Sequence, residues 1–251
     1  MAKQKGIIKL EGTIGDITFY KSQDGYLARE KGGIDANRIA SDPAFQRTRE
    51  NGNEFGAAGK AGKMLRVALR ALLQNTADNR MVSRLTQEMV KVVQADAINA
   101  RGERNVIDGE AELLEGFEFN KNGKLGTALY APFAAVINRV TGLLNVDMPP
   151  YVPVNMIAAP GGTTHYKIIS AGAEIDFENE TFVIDNNNSA ILPWDSVATT
   201  VLNLSNAVTA NSTHPLFMAL GIEFYQEING VKYTLKNGAF NALALVKVLG
   251  L

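Results

Sequence analysis

The stretch FGAAGKAGKM, residues 55–64, has residue types that come near to those of a phosphate-binding loop. That loop needs a glycine five residues before a Gly-Lys pair, and a serine or threonine after the pair to reach magnesium. Relative to Gly62-Lys63, Ala57 stands at the first position and Met64 at the last, and no strand precedes them. We therefore do not expect nucleotide hydrolysis, although a helix beginning at Gly62 would still attract an anion.

The two histidines, His165 and His214, are the candidates for general acid-base chemistry. Each follows a threonine, and a Ser-His-Asp type of site would need the ring to be oriented by a carboxylate and to touch a hydroxyl. The chain has no Gly-x-Ser-x-Gly elbow, and zero cysteines exclude disulfides, thiol nucleophiles and thiolate metal sites. We expect ordinary strand or loop histidines, no cofactor, and a protein that is not an enzyme.

Acidic side chains recur along AEIDFENETFVID, residues 173–185. Glu174, Asp176 and Glu178 are two residues apart, so in a strand they would lie on one face. Their oxygens suit calcium, but the twelve-residue calcium loop with its glycine is missing. We expect a solvated acidic edge facing a basic partner and no metal site, with calcium as the alternative.

Basic side chains on two predicted helices offer contacts to phosphates. They are Arg66, Arg70, Arg80, Arg84 and Lys91. Nucleic-acid readers usually add stacking aromatic side chains, and residues 56–116 contain none. We therefore do not expect nucleic acid as a partner. Trp194, Phe217 and Phe224 are expected in a sandwich core rather than in a sugar platform.

The formal net charge of −1 conceals an asymmetry along the chain. Residues 1–105 contain 18 Lys or Arg and 12 Asp or Glu, a net +6, whereas residues 106–251 contain 7 and 14, a net −7. A molecule of this kind can stack head to tail with copies of itself. Equally, the two halves can face each other within one monomer, and both interpretations stay open.

The amino-terminal residues MAKQKGIIKLEG carry positive charge but only two consecutive strong apolar residues before Lys9. This pattern is not that of a secretory signal, and no apolar run approaches the roughly 18 residues of a membrane span. We expect synthesis in the cytoplasm and no membrane span. The final location stays open and includes release as an extracellular or virion assembly.

The elements that must position these residues begin with a β-hairpin arm over residues 1–35. Apolar residues alternate with polar ones along it: Ile8, Leu10, Ile14, Ile17 and Phe19. Asp24-Gly25 suits a tight turn between two strands. Because a two-stranded hairpin is marginal alone, the arm must join a sheet of its own chain or of a neighbour.

Residues 36–105 predict a linker followed by a helical hairpin. Asp42-Pro43 and Asn51-Gly52 are breakers, so we expect an extended arm that carries one short helix starting at Pro43. Apolar residues then recur at helical spacing in two segments: Leu65, Ala68, Leu69, Leu72 and Leu73 in the first, and Met81, Val82, Leu85, Met89, Val92 and Val93 in the second.

Residues 106–251 predict an antiparallel β-sandwich or Greek-key barrel, because short apolar stretches are separated by turn signals. The candidate strands are 113–119, 125–131, 134–144, 152–157, 165–177, 181–185, 197–204, 216–227, 231–235 and 240–249. The predicted fold class is therefore α+β, with an arm at 1–35, a linker and helical hairpin at 36–105, and a β-sandwich domain at 106–251.

Three stretches, MAKQKGIIKLEGTIGDITFYKSQDGYLAREKGG, DPAFQRTRENGNEFGAAGKAGK and NVIDGEAELLEGFEFN, together resemble a family of uncharacterised proteins of Bacteroidetes-type bacteria. The similarity runs through most of the chain. It implies a bacterial origin, with bacteriophage structural genes as an adjacent source, and it implies no catalytic residue or cofactor.

The functional hypothesis is a self-assembling structural subunit of a filament or tube. The arm would add as a strand to the sheet of another copy, and the oppositely charged halves would favour head-to-tail order. The docking residues would be Ile8, Leu10, Ile14, Ile17, Phe19 and Tyr20, with Phe45 and Phe55 as arm anchors. The alternatives are a virion capsid or tail subunit and a monomeric ligand-binding module.

Overall fold

The structure is a computed structural model that describes residues 2–30, 33–76 and 78–251. The chain divides into two compact units, Met1–Arg49 and Glu50–Leu251. Segment boundaries at residues 35 and 105 are not tested by this division, and they stay predictions.

Among the described residues the helices are α1 Ala36–Ser41, α2 Gln46–Ala68, α3 Arg70–Leu73, α4 Met81–Ala95, α5 Leu125–Ala128 and α6 Pro153–Met156, with short 3-10 helices at Pro43–Phe45, Ala111–Leu114 and Leu235–Gly238. The strands are β1 Ala2–Lys3, β2 Gly12–Ile14, β3 Ile17–Ser22, β4 Gly25–Glu30, β5 Ala134–Asn138, β6 Leu143–Met148, β7 His165–Asp176, β8 Thr181–Asn188, β9 Leu192–Pro193, β10 Leu202–Ala207, β11 Leu216–Ile228, β12 Val231–Thr234 and β13 Ala242–Leu249.

The first unit contains an antiparallel sheet in the order β1-β4-β3-β2. The β3–β4 hairpin turns at Gly25, which has a φ of +105°, and the β2–β3 hairpin turns at Gly15, with a φ of +57°. Such backbone angles favour glycine, which explains both turns. The predicted arm therefore joins a sheet of its own chain, the first of the two open possibilities.

The predicted extended linker is wrong, because helix runs almost continuously through it. Asp35 accepts backbone N–H groups at the start of α1, and Asp42 does so for Ala44 in the 3-10 helix. The guanidinium of Arg49 then donates to the carbonyls of Ile39 and Asp42. Local caps thus start the two short helices, and α2 then passes straight through Asn51-Gly52.

The second unit is built around a central sheet in the order β12-β11-β7-β8, in which β13 also pairs with β11 and β9 with β7. Strand β7 is buried on both faces. Its residues Ile169, Ala171 and Ala173 pack in one core with apolar residues of α2 and α4. Tyr166 and Ile168 point the other way, into a second core. The predicted helical hairpin therefore covers one face of the central sheet.

A smaller sheet, in the order β10-β6-β5, covers the opposite face. Leu144 and Val146 of β6 meet Leu220 and Ile222 of β11 in the second core. The α+β class with a C-terminal antiparallel sheet structure is confirmed. Predicted strands over 165–177, 181–185, 216–227, 231–235 and 240–249 correspond to β7, β8, β11, β12 and β13.

Three predicted strands are wrong, since helical turns stand in their place. The segment 113–119 overlaps the 3-10 helix Ala111–Leu114, while 125–131 and 152–157 contain α5 and α6. The predicted single strand 134–144 is also wrong, because it contains β5, a turn and the start of β6, which pair as a hairpin. Val82, predicted to face inward, is exposed on α4. Each of these helical turns spans four residues, which is too short to show a helical period in the sequence.

The loop that follows α4 is organised by the buried carboxylate of Asp96. Burial acts to raise its pKa, but N–H donors from Asn99, Asn105 and Ile98 outweigh it and lower the pKa from 3.8 to about 2. The same loop returns to α2, where the carboxylate of Glu54 accepts the Gly102 backbone N–H at 2.9 Å. The Asp96 carboxylate therefore holds together a loop that packs on α2.

Replacing Asp96 by asparagine is expected to lower the free energy of unfolding by about 1–3 kcal/mol at neutral pH, because backbone donors would lose an ionised acceptor. A lowered folded-state pKa gives stability that is present above pH about 4 and lost as the pH falls towards 2. Urea unfolding between pH 2 and 7 measures this. In Asp96→Asn the free energy of unfolding should fall less steeply as the pH is lowered, so that the acid limb of its pH profile is flatter. Glu103→Gln, an exposed amide replacement in the same loop, is the control; an equal acid limb in both variants would contradict the assignment.

Candidate functional site

The sheet of the first unit has one apolar face. The register pairs Ile14 with Ile17 and Phe19 with Ala28, so these four side chains lie on the same side of the sheet. Tyr26 extends this face, because it pairs with Lys21, and Lys21 lies on the same side of the sheet as Phe19. We call the surface formed by these side chains the apolar face.

The apolar face lies in a unit that lacks a core of its own. Among residues 2–30 and 33–49, the described part of the first unit, none is buried. Ile14 is 64% exposed and Ile17 is 46% exposed. A sheet normally buries one face against another layer, so this exposed face is a candidate contact surface.

The predicted docking residues separate into three places. Ile14, Ile17 and Phe19 belong to the apolar face. Tyr20 lies on the opposite face, where the Arg29 guanidinium stands 5.5 Å from its ring centroid. Ile8 and Leu10 lie outside the strands, between β1 and β2. The two-residue period within β3 already separates Tyr20 from Phe19, whereas the register of β2 on β3 was needed to place Ile14 beside Ile17.

The segment between β1 and β2 forms a closed loop that presents apolar side chains to solvent. The Gln4 side-chain amide accepts from Leu10 N at 2.9 Å and donates to Leu10 O at 3.2 Å, which joins the two ends. Lys9 Nζ donates to the carbonyls of Gln4 and Gly6 at 2.5 and 2.6 Å. Ile7 at the tip is fully exposed, and Ile8 is 79% exposed. We call residues 5–9 the isoleucine loop.

Both edges of the first sheet are short strands. β1 and β2 pair only inward, with β4 and β3 respectively, so within the described residues nothing pairs with their outer edges. Short edge strands limit uncontrolled pairing. Three residues of β2 still leave backbone N–H and C=O groups on which a further strand could pair.

The two predicted arm anchors differ in their surroundings. Phe45 is half-buried, and the Arg38 guanidinium lies 5.7 Å from its ring centroid within the first unit. Phe55 lies in α2 of the second unit and is 62% exposed. An exposed phenylalanine on a helix suits an anchor, whereas the Phe45 ring already has a cation as partner.

A cavity of about 450 Å³ opens at one end of the sandwich in the second unit. Its lining comes from Tyr151, from the start of α6, and from the segment 189–202 that joins β8 to β10. The lining is mainly apolar, with Leu192 and Leu202 among its residues. The volume falls in the range of small-molecule and side-chain pockets, roughly 300–1,000 Å³. We call this the loop-end cavity.

Polar groups of the loop-end cavity are largely engaged with one another. The Tyr151 backbone N–H donates to the Thr199 hydroxyl at 3.1 Å, and the Tyr151 carbonyl accepts the Thr199 backbone N–H. Tyr166 donates its hydroxyl to that of Tyr151 at 3.0 Å. Burial raises the pKa of Tyr166, and the nearby Tyr151 and Asp195 raise it further, so Tyr166 stays a neutral donor. Of the described residues that line the cavity, Asp195 alone is charged. The cavity therefore suits an apolar occupant with a positive charge nearby.

The stretch that resembled a phosphate-binding loop lies inside α2. No helix begins at Gly62, so the predicted anion-attracting N-terminus is absent from this described part of the chain. Gly62 instead packs against Met89 and Leu85 of α4, with the position of a Cβ at 3.6 and 3.7 Å from their side chains. Lys60 Nζ lies 2.6 Å from the Glu180 carboxylate. Gly62 therefore serves helix packing rather than anion binding.

The two histidines lie at opposite ends of β7 and β11. His165 Nδ1 is 3.0 Å from the Thr164 hydroxyl, and its Nε2 is 3.4 Å from Glu227. The Thr164 hydroxyl also accepts the Glu227 backbone N–H at 2.7 Å, so this group ties β7 to β11. His214 Nε2 lies 3.8 Å from Asp176. Each histidine therefore lies beside a carboxylate, Glu227 for His165 and Asp176 for His214, at an end of the β7–β11 strand pair.

The predicted acidic edge is wrong as a single solvated ribbon. Glu174 is buried: its burial raises its pKa, but donors from Ser212 and Thr209 outweigh this and lower it. Asp176 ends β7 and accepts N–H groups of Glu178 and Asn179, which lower its pKa. Both carboxylates therefore serve turns next to the strand.

The basic stripe is also interrupted, since Arg84 turns towards the protein. Its guanidinium lies 2.7 Å from Asp78 and donates to the carbonyls of Glu118 and Phe119.

Among the described residues, no group of three or more acidic or histidine side chains could hold a metal ion. Every described helix is too short or too polar to cross a lipid bilayer.

Comparisons with known proteins identify no family for this chain. No family model matches the chain, and no curated protein matches it in sequence. A crystal structure of the human F-spondin reeler domain (fragment 1) is similar at 12% identity, over 50% of this chain and 99% of that one. The TM-score of that match is 0.18, which supports no conclusion about fold or function.

Sequence reasoning missed Ile7 and the loop-end cavity. Ile7 directly precedes Ile8, so it does not fit the two-residue alternation that identifies the other docking residues. The cavity combines Tyr151 with residues about 40 to 50 positions later, and only the fold brings them together. The apolar pair Ile7-Ile8 between two lysines was the available signal for the isoleucine loop.

Proposed function

We propose that this protein is a structural subunit that assembles with copies of itself into a filament or tube, using the first unit as its docking element. The observation that carries the proposal is a sheet without a buried residue whose apolar face includes Ile14 and Ile17. Covering apolar surface contributes about 25 cal/mol per Å². Contiguous apolar surface on a soluble protein typically marks an interaction site.

The order of assembly is expected to be head to tail. A first unit that docks on a different surface of the next copy makes a heterologous contact, which propagates into open filaments or closes into rings. Residues 1–49, the first unit, contain 9 Lys or Arg and 6 Asp or Glu, a net +3, whereas residues 50–251 contain 16 and 20, a net −4, and these opposite signs favour this order over a symmetric dimer. The short outer edge of β2 can add backbone hydrogen bonds, as in strand addition.

The double substitution Ile14→Asp with Ile17→Asp tests the proposal in the full chain. We expect the wild type to sediment as large species at high concentration and the variant to weaken association by roughly 100-fold, a change typical of losing central contacts. Sedimentation velocity, light scattering after size-exclusion chromatography, and negative-stain microscopy measure the outcome.

The matched control is Thr13→Asp with Thr18→Asp. This pair lies directly opposite in the same two strands but on the other face, and its hydroxyls are 3.2 Å apart. Both variants place two aspartates across from each other, so both introduce like-charge repulsion of similar size within the sheet. If the wild type stays monomeric at high concentration, or if both double variants assemble alike, the proposal is wrong.

A monomeric ligand-binding module is the second candidate function, favoured by the apolar loop-end cavity of about 450 Å³. It predicts a full chain that remains a monomer and gains thermal stability from a small apolar amine, whose charge would complement Asp195. A monomer without any such gain would oppose both candidates.

A further inference from the structure

We infer that the isoleucine loop of one copy inserts into the loop-end cavity of the next copy. This inference rests on the proposed function and names the surface that receives the first unit. The loop belongs to the first unit and the cavity to the second, so a chain carries one of each at different places. A protruding apolar group and a complementary pocket on one molecule make a heterologous contact that does not close on itself.

The chemistry of the loop matches the chemistry of the cavity. Ile7 and Ile8 are among the most exposed large apolar side chains of the chain, and they stand side by side at a loop tip. The cavity presents apolar side chains and has room for two aliphatic groups in about 450 Å³. Burying both isoleucines would contribute favourable apolar transfer at both surfaces.

Charge complementarity supports the same pairing. Lys5 and Lys9 flank the two isoleucines, and Asp195 is the charged residue among the described residues lining the cavity. Asp195 Oδ1 accepts the Val197 backbone N–H at 2.9 Å, which fixes the carboxylate at this site. Lys5, beside the inserted apolar tip, would meet this carboxylate at the rim while Lys9 keeps its contacts within the loop, and opposite charges there favour the correct orientation.

The loop is prepared for insertion before any contact is made. The Gln4 amide contacts to Leu10 and the Lys9 ammonium contacts to the Gln4 and Gly6 carbonyls hold its two ends together. A loop that is already closed loses less conformational freedom on binding. The cavity rim contributes apolar surface as well, because Val197 is exposed beside it.

Two variants of the full chain each block one half of the contact. Ile7→Asp with Ile8→Asp removes the apolar tip, and Ala198→Trp fills the cavity, since Ala198 lines it and is exposed. Each variant alone should associate roughly 100-fold more weakly than the wild type. Val140→Asp and Ala210→Trp are controls, because they place one aspartate and one tryptophan at exposed turn positions elsewhere.

Mixing the two blocked variants gives the decisive result. The Ala198→Trp chain keeps its loop and the Ile7→Asp, Ile8→Asp chain keeps its cavity, so one contact per pair can form. We expect a 1:1 heterodimer at near wild-type affinity and no longer species, measured by sedimentation velocity with one variant labelled. Circular dichroism and thermal unfolding verify that both variants fold.

The outcomes separate this inference from the proposed function. If the wild type assembles and the Ile14→Asp, Ile17→Asp variant does not, while the loop and cavity variants assemble like the wild type, the insertion is wrong and the proposed function stands. A mixture of folded variants that stays monomeric also overturns the insertion. A wild type that never assembles overturns both.

Discussion

Replacing Phe217 by alanine is expected to lower the free energy of unfolding of the second unit by about 3–5 kcal/mol. Phe217 lies on β11, is fully buried, and faces the core shared by the central sheet and the helices. Its ring stands edge-on to Phe177, with the ring centroids 6.2 Å apart. The substitution would leave a cavity between two layers and remove an aromatic contact as well.

Urea denaturation monitored by the fluorescence of Trp194, the single tryptophan, measures this effect within the second unit. For a unit of this size we expect a fall in melting temperature of roughly 10 °C. Phe182→Ala is the matched control, because Phe182 is half-exposed near the start of β8. It should cost less than about 1 kcal/mol. Equal losses for the two variants would contradict a layer of helices packed on this face.

Long strands were readable from the sequence because their residue patterns are strong. HYKIISAGAEID and LFMALGIEFYQEI are long segments rich in apolar and small residues, and they became β7 and β11, which are buried on both faces over most of their length. The asparagine-glycine pair at Asn229 also marked its turn, since Asn229 has a φ of +53° between β11 and β12. These features are local, so a single sequence contains them.

The continuous helix through residues 46–55 could not be predicted in the same way. Its stabilising contacts come from distant parts of the chain: Glu54 accepts the Gly102 N–H, and Arg101 contacts both Glu50 and Asn51. Those contacts are more than 45 residues apart in sequence. Tertiary contacts thereby override the low helix propensity of the local glycines and asparagines.

The candidate site was predictable only in part for a related reason. Alternation identified Ile14, Ile17 and Phe19 as a set, and the register places them together on the apolar face. The same alternation already places Tyr20 on the opposite face, because it follows Phe19 directly in β3. Alternation could not place Ile14 relative to Ile17, which are three residues apart on two strands, because that depends on the register of β2 on β3.

Glycine-to-alanine changes at Gly172 and Gly59 are expected to alter stability in opposite directions. Gly172 lies in β7, where a Cβ would stand 2.8 Å from the Asn206 Cβ and 3.2 Å from Leu144 Cδ2 of the smaller sheet. Asn206 cannot easily retreat, because its amide accepts the Ser170 hydroxyl and donates to the Asp185 carbonyl. Overpacking and loss of these buried hydrogen bonds together should cost about 3 kcal/mol.

Gly59 offers the matched change in open space. It lies in the middle of α2, no atom lies within 4 Å of its Cβ position, and its φ is not in the left-handed region. Alanine there should raise the free energy of unfolding by about 0.5–1 kcal/mol, because it removes the entropy cost of a helical glycine. Urea unfolding of both variants measures the pair. A stabilising Gly172→Ala would mean that the two sheets do not meet at this position, and the sandwich would then need a different packing.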